Sequence, residues 1–186
     1  MNIFVINGHK YYPYAQGRLN MTMFNEIVNI LKSKNQVETT IIETGYKTEE
    51  EIEKYKQADI IIYQTPINWF SVPWILKKYY DEIFQHGIFY GASDEYGNGG
   101  LMKGKRYMYS LTWNSSKKAF STGEFYDGRS VDDIIIALHK LHEYCGMKQI
   151  QTFSLHDVVK HPDIPEYLKR IREHLGSYIN PSQKQA

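Results

Sequence analysis

Residues 59–63 read Asp-Ile-Ile-Ile-Tyr, and this uninterrupted apolar run constrains the fold more than any other feature. A strand that is apolar at nearly every position is covered on both faces, which is the setting of a central strand in a parallel sheet. Parallel neighbours cannot be joined by tight hairpins. They need crossover connections, normally helices, that return the chain to the same edge.

The remaining sequence supplies that alternation. Asn2–Asn7, Gln36–Glu43, Arg106–Trp113 and Met147–Phe153 are short β-rich segments. Leu19–Lys34 carries apolar residues at Leu19, Met23, Ile27, Ile30 and Leu31, which is helical spacing. Thr48–Gln57 is charged, and Thr48 followed by Glu51 has the form of a capping box. Pro73–Phe84, Val131–Tyr144 and Ile164–Tyr178 complete the helices. Five strands alternating with helices imply an α/β, three-layer, doubly wound parallel sheet in the flavodoxin-like order 2-1-3-4-5. A single domain over 1–180 is expected, with a polar tail over 181–186 that frays.

Composition removes several classes of function. Net charge is +1 and no long basic block occurs, which argues against a nucleic-acid partner. The same balance argues against a strongly charged electron carrier. No apolar run reaches membrane-spanning length, so membrane insertion is not expected. The one cysteine, Cys145, excludes an internal disulfide and fits the reducing cytoplasm; it reads as an inert core thiol.

The unusual residues fall after strands 1, 3 and 4, where the carboxyl ends of a doubly wound sheet hold ligands. After the first strand come Gly8-His9, a tyrosine-rich loop to Gly17, and a helix opening at Leu19-Asn20-Met21-Thr22. A helix start presents unpaired N–H groups and a positive dipole end, so this loop is a candidate phosphate seat, with His9 beside it. Gly8 and Gly17 match neither of the two common nucleotide-loop spacings. After the third strand, Pro66 is followed by Ile67, Asn68, Trp69 and Phe70; after the fourth come Thr112, Trp113, Asn114 and Ser115. Aromatic content of 15%, with 16 tyrosines, offers flat surfaces to planar rings as readily as to a core. The connection from His86 to Lys105 is long enough to read as a lid or mobile segment. His139 and His142 read as a solvated helix face rather than metal ligands, and His156, Asp157 and His161 as a polar surface turn.

The segments INGHK, QGRLNMT, QTPINWFSVPWILKKYYDEIF, YGNGGLMKGKRYMYSLTWNS and TFSLHDVVKHPDIPEY carry a resemblance nearly end to end. The chain resembles the flavodoxin-fold NAD(P)H:quinone oxidoreductases, in the branch called modulator of drug activity B. The resemblance implies non-covalent FAD, with FMN the less expected flavin. It also implies a homodimer, NADPH or NADH as reductant, a quinone as acceptor, and ping-pong hydride transfer through flavin N5. It assigns Ala15, Gln16, Gly17, Arg18, Leu19, Asn20, Met21 and Thr22 to the phosphate loop. Pro66, Ile67, Asn68 and Trp69, with Phe70 adjoining, would hold the pyrophosphate and flavin edge, and Thr112, Trp113, Asn114 and Ser115 would lie along the isoalloxazine. Tyr96 would reach the flavin from the dimer mate, and Tyr96 and Asn114 are the candidate catalytic residues. Gln16 stands where the family more usually has a small hydroxyl or polar residue, and Asn68 where a small residue is expected. Lys103, Lys105 and Arg106 are candidates for the 2′-phosphate of NADPH. Related flavoproteins act as regulatory subunits of potassium-efflux systems or reduce azo and nitro compounds, and both alternatives stay open.

Overall fold

The computed structural model describes residues 1–179, so the expected tail over 181–186 lies outside the described residues. The sheet contains β1 (Asn2–Asn7), β2 (Gln36–Ile41), β3 (Ile60–Pro66), β4 (Arg106–Thr112), β5 (Lys148–Gln149) and β6 (Phe153–Leu155). Its order is β2-β1-β3-β4-β5, with β6 also on β4, and every pairing is parallel. The helices are α1 (Arg18–Lys32), α2 (Thr48–Gln57), α3 (Trp74–Ile83), α4 (Val131–Ile134), α5 (Ile136–Tyr144) and α6 (Ile164–Tyr178). None of the helices among the described residues is long and apolar enough to cross a membrane.

Side chains on β3 and β4 alternate between two cores, as the pleat requires. Ile60, Ile62 and Met108 face α1 and α6 with Ile3 and Val5, whereas Ile61, Tyr63, Tyr107, Tyr109 and Leu111 face α2, α3 and α5. Both faces of β3 are buried in these cores, which explains its continuous apolar run.

Several expectations need correction. The last strand is not continuous: β5 and β6 pair with β4 at residue offsets of 42 and 43, so one additional residue bulges between them. Thr48 caps nothing, since the N-cap of α2 is Lys47 and carries no side-chain bond. The capping box belongs to Ser130 and Asp133 instead, and the helix they open breaks at Ile135 before resuming as α5. His139 and His142 are not solvated. They are 2% and 0% exposed, because the tyrosines of β4 need partners: Tyr107 and Tyr109 hydroxyls lie 2.9 Å from His139 Nδ1 and His142 Nε2.

The long connection after α3 is also tied down rather than free. Phe89 and Met102 are buried, Gly91 N–H donates to Gly99 O at 2.8 Å, and Met102 N–H donates to Cys145 O at 2.8 Å. Cys145 itself is buried as expected, and burial pushes its thiol up to about 12.

Burial, reinforced by the adjacent His139, holds His142 well below the usual imidazole range. In an unfolded chain the same ring protonates near about pH 6.5. Below that value the unfolded state binds the additional proton first, so this contribution to stability is complete above about pH 6.5 and declines as pH falls. Urea midpoints are expected to fall between about pH 7.5 and 5, and to fall less in His142→Phe. At the higher pH that variant should already be weaker by about 1–3 kcal/mol, since the Tyr109 hydroxyl loses a partner. An identical pH slope in the two proteins would refute the assignment.

Candidate functional site

Three turns meet along the carboxyl edge of the sheet, above β1, β3 and β4. Beneath them runs a chain of buried side-chain hydrogen bonds. Ser110 Oγ donates to Gln64 Oε1 at 2.6 Å, Gln64 Nε2 to Asn20 Oδ1 at 3.0 Å, and Asn20 Nδ2 to Asn7 Oδ1 at 2.8 Å. The relay therefore crosses β4, β3, α1 and β1. Asn7 Oδ1 accepts a second bond, from His9 N at 3.1 Å, which sets the course of the first turn.

The first turn is built to leave a helix end open. Tyr12 and Ala15 exchange backbone hydrogen bonds of 3.1 and 3.0 Å, closing a tight loop around Pro13-Tyr14. The chain then enters α1 through Gly17 at φ 71°, and no side chain caps the helix. Only glycine fits there: a Cβ would lie 2.2 Å from His9 Cδ2. His9 Nε2 lies 3.0 Å from Ala15 O, while Nδ1 is buried with no partner among the described residues. Burial lowers the pKa of His9, against the opposing pull of the Ala15 carbonyl, so the ring is neutral near pH 7. The uncapped N–H groups at the start of α1 are donors of the kind that receive anions, whereas the neutral His9 ring, donating through Nε2 to Ala15 O, leaves Nδ1 as an acceptor for a hydroxyl or N–H. A cavity of about 500 Å³ opens next to it, bounded by Asn7, His9, Gly17, Thr22, Glu43 and Thr44. Thr22 is exposed, Ala15, Gln16 and Leu19 are near or at this turn, and Asn20 is committed to the relay.

The second turn is strained. Asn68 and Ser71 exchange backbone bonds of 2.8 and 3.1 Å around Trp69 and Phe70, whose φ values are 50° and 65°. Two left-handed residues in this frame normally call for Asn or Gly, and bulky side chains there store about 1–3 kcal/mol each. Trp69 is 92% exposed at the tip. Ile67 N–H donates to Thr112 O at 3.0 Å, which couples Pro66 and this turn to the end of β4.

In the third turn Asn114 is exposed, but Trp113 is 2% exposed and lies below the surface. Its backbone is engaged with Leu155 and Val158, and its indole Nε1 and the Ser115 Oγ are buried with no partner among the described residues. Three aromatics in this region escaped the sequence reading: Phe120, Phe125 and Tyr126. They continue a ladder of rings in which Phe70 stacks on Phe125 at 5.9 Å, Phe125 meets Tyr126 at 4.9 Å, and Tyr126 stacks on Phe120 at 4.2 Å. Phe120 then reaches Trp113 at 5.4 Å, roofing the end of β4. The available signal was three rings within seven residues of a loop rich in glycine and serine.

Two sets of residues are not brought to this edge. Tyr96 is 97% exposed, and its ring lies 5.5 Å from Tyr144, at the end of α5 that leads into β5 and therefore at the amino edge of the sheet. Lys103, Lys105 and Arg106 precede or start β4 at that same edge. Lys105 Nζ is bound to the carbonyls of Lys56 and Ala58, both at 2.7 Å, which leaves it no part in a site above the strand ends.

A family model described as flavodoxin-like fold matches residues 1–175. The chain is 38% identical over 187 residues to the NADPH:quinone oxidoreductase MdaB of Haemophilus influenzae, covering 94% of this chain and 97% of that protein. Among solved structures, the NAD(P)H:quinone oxidoreductase of Methanothermobacter marburgensis matches with a TM-score of 0.71 at 14% identity, over 93% of this chain and 94% of the other. General stress protein 14 of Treponema denticola, solved with FMN, matches with a TM-score of 0.74 at 16% identity, over 95% of this chain and 96% of the other. At these identities the solved structures speak for the fold alone.

The strained turn yields a measurable trade. Asn accepts a left-handed backbone without glycine's entropy, so Trp69→Asn should raise stability by about 0.5–1 kcal/mol. That corresponds to a melting-temperature gain of roughly 1–4 °C for a chain of this size. Ligand affinity at the carboxyl edge should fall at the same time. A lower melting temperature would show that the turn is relaxed.

Proposed function

The chain belongs to the family of flavodoxin-fold NAD(P)H:quinone oxidoreductases, in the modulator of drug activity B branch, and we infer from the site that it oxidises NADPH or NADH and reduces a quinone. The observation that carries this reading is the union of three turns over one buried relay, with an uncapped α1 N-terminus among them. Such an edge suits a flat ring system joined to phosphate. The orphaned His9 Nδ1 and Ser115 Oγ fit a group that brings its own donors and acceptors.

That group is a flavin, which supplies the two-electron chemistry when bound. The chain's residues bind and orient it. The start of α1, from Gly17 through Leu19, faces the phosphates; Pro66, Ile67 and Asn68 follow the pyrophosphate and ring edge; Trp69 and Phe70 cover an apolar face. Asn114 and the backbone from Thr112 to Ser115 offer donors to the ring edge. The cavity of about 500 Å³ beside α1 has room for a nucleoside half, which supports FAD over FMN. Reductant and quinone are proposed to use the same face in turn, a ping-pong scheme.

Tyr96 takes part only across a dimer. Its almost complete exposure at the far edge of its own sheet supports a homodimer in which Tyr96 of one copy overhangs the turns of the other and gives a proton to the quinone oxygen. The lone buried thiol is compatible with work in the cytoplasm.

The protein should purify yellow or become so with FAD, and FAD should bind more tightly than FMN; equal affinities would reject the nucleoside cavity. Double-reciprocal plots of NADPH oxidation at several quinone concentrations should be parallel, whereas intersecting lines would require both substrates to be bound together. Tyr96→Phe should slow quinone turnover roughly tenfold or more with flavin bleaching by NADPH unaltered. Sedimentation as a monomer would remove Tyr96 from the mechanism.

A further inference from the structure

We propose that the open groove between β6 and α6 binds the 2′-phosphoadenosine end of NADPH, with Lys117 and Arg170 holding the phosphomonoester. The ligand's identity rests on the reductase reading; the groove's preference for a phosphorylated nucleoside does not. The groove has a volume of about 430 Å³ and begins at Lys117, two residues after the third turn. Its other walls include Ser154, Arg170, Glu173, His174 and Tyr178.

Two cations, Lys117 and Arg170, line this one groove. Basic side chains next to them in sequence are ion-paired: Lys118 lies 3.3 Å from Glu124, and Arg172 lies 2.6 Å from Glu26. Lys117 and Arg170 have no carboxylate partner among the described residues. Arg170 is nonetheless held in place. Its Nη2 donates to Ser154 O at 3.0 Å, and its guanidinium lies 5.6 Å from the centre of the Phe153 ring. One edge of the fork is thus pinned to the strand, which leaves other N–H groups for an anion. Glu173 is the one carboxylate among the groove's lining residues, against the two cations.

Neighbouring imidazoles register the local field. Burial, followed by the charge of Lys117 and with Arg170 adding to it, pushes His156 down to about 4. His174 is lowered by burial first, with Arg170 again contributing. Both rings are neutral near pH 7, so the positive charge beside the groove comes from Lys117 and Arg170. The apolar requirement of an adenine is met by Tyr178, 46% exposed, whose ring lies 4.7 Å from that of His174. A 2′-phosphate adds roughly −1.5 to −2 charge at neutral pH, the group that separates NADPH from NADH. This placement also replaces Lys103, Lys105 and Arg106, which sit at the wrong edge of the sheet.

Calorimetry on the full chain with 2′,5′-ADP, 5′-AMP and inorganic phosphate tests the groove without reference to turnover. The expected result is 2′,5′-ADP binding about tenfold or more tightly than 5′-AMP, with affinity falling as salt is raised. Lys117→Glu should abolish that advantage and Arg170→Gln should reduce it, with Arg170→Lys restoring part. Lys118→Glu, one residue away, should leave it in place. Equal binding of 2′,5′-ADP and 5′-AMP would overturn the proposal, as would equal losses in the Lys117 and Lys118 variants. Inorganic phosphate binding as tightly as 2′,5′-ADP would reduce the groove to a bare anion site and also overturn it. In turnover, Lys117→Glu should raise the KM for NADPH about tenfold more than that for NADH. If neither nicotinamide is oxidised by the wild-type protein, the reductase reading fails, and the nucleotide affinities still decide the groove.

Discussion

The candidate site depends on one buried constraint, the relay from Asn7 through Asn20 and Gln64 to Ser110. All four residues are 3% exposed or less, and their amides and hydroxyl satisfy one another rather than water. In so buried a sheet crest a missing member strands its neighbours, so the four stand or fall as a set. The relay fixes the rotation of α1 against β1 and β3, and through Asn7 it directs the His9 backbone. Backbone bonds from Gly8 to Gln64 and from Ile67 to Thr112 extend the same registration to the turns. A site assembled from three distant segments thereby behaves as one rigid piece.

The abundance of tyrosine has its explanation mainly on the opposite face of the sheet, away from α1. Tyr55 and Tyr63 hydroxyls meet at 2.6 Å, and those of Tyr80 and Tyr109 at 2.9 Å. Tyr79 donates to the buried carboxylate of Glu51 at 2.6 Å, and that carboxylate also receives Lys54 and Thr40. Burial raises every one of these phenols, so they remain neutral donors throughout the physiological range. The face is packed like an aliphatic core but keyed by hydroxyls, each of which demands a partner at one place. That requirement draws His139 and His142 inward.

Much of the architecture was legible because the relevant signals are local. The apolar run on β3, the spacing of α1 and the alternation of elements act over a dozen residues or fewer. The misreadings arose where distant residues decide. His139 and His142 lie on a helix whose pattern alone permits exposure, and only the phenols of β4 reveal their burial. The bulge between β5 and β6 depends on pairing with β4, which no edge-strand pattern announces. The sequence displays Trp69 and Phe70 as aromatic, yet their left-handed backbone is imposed by Asn68 and Ser71 closing the frame around them. The position of Trp113 after β4 is legible in the sequence, whereas Phe120 and Tyr126 cover it from a loop with no regular period.

The Asn68–Ser71 frame also bears on how quickly the edge can exchange its visitors. A loop that must be ordered on each encounter charges every arriving molecule an entropic toll and slows its capture. Here the two backbone bonds and the stack of Phe70 on Phe125 hold the tip in one shape beforehand. Complexes formed at such an edge gain little from tightening around their occupant, so differences in lifetime between one occupant and another arise from their own fit rather than from closure of the protein.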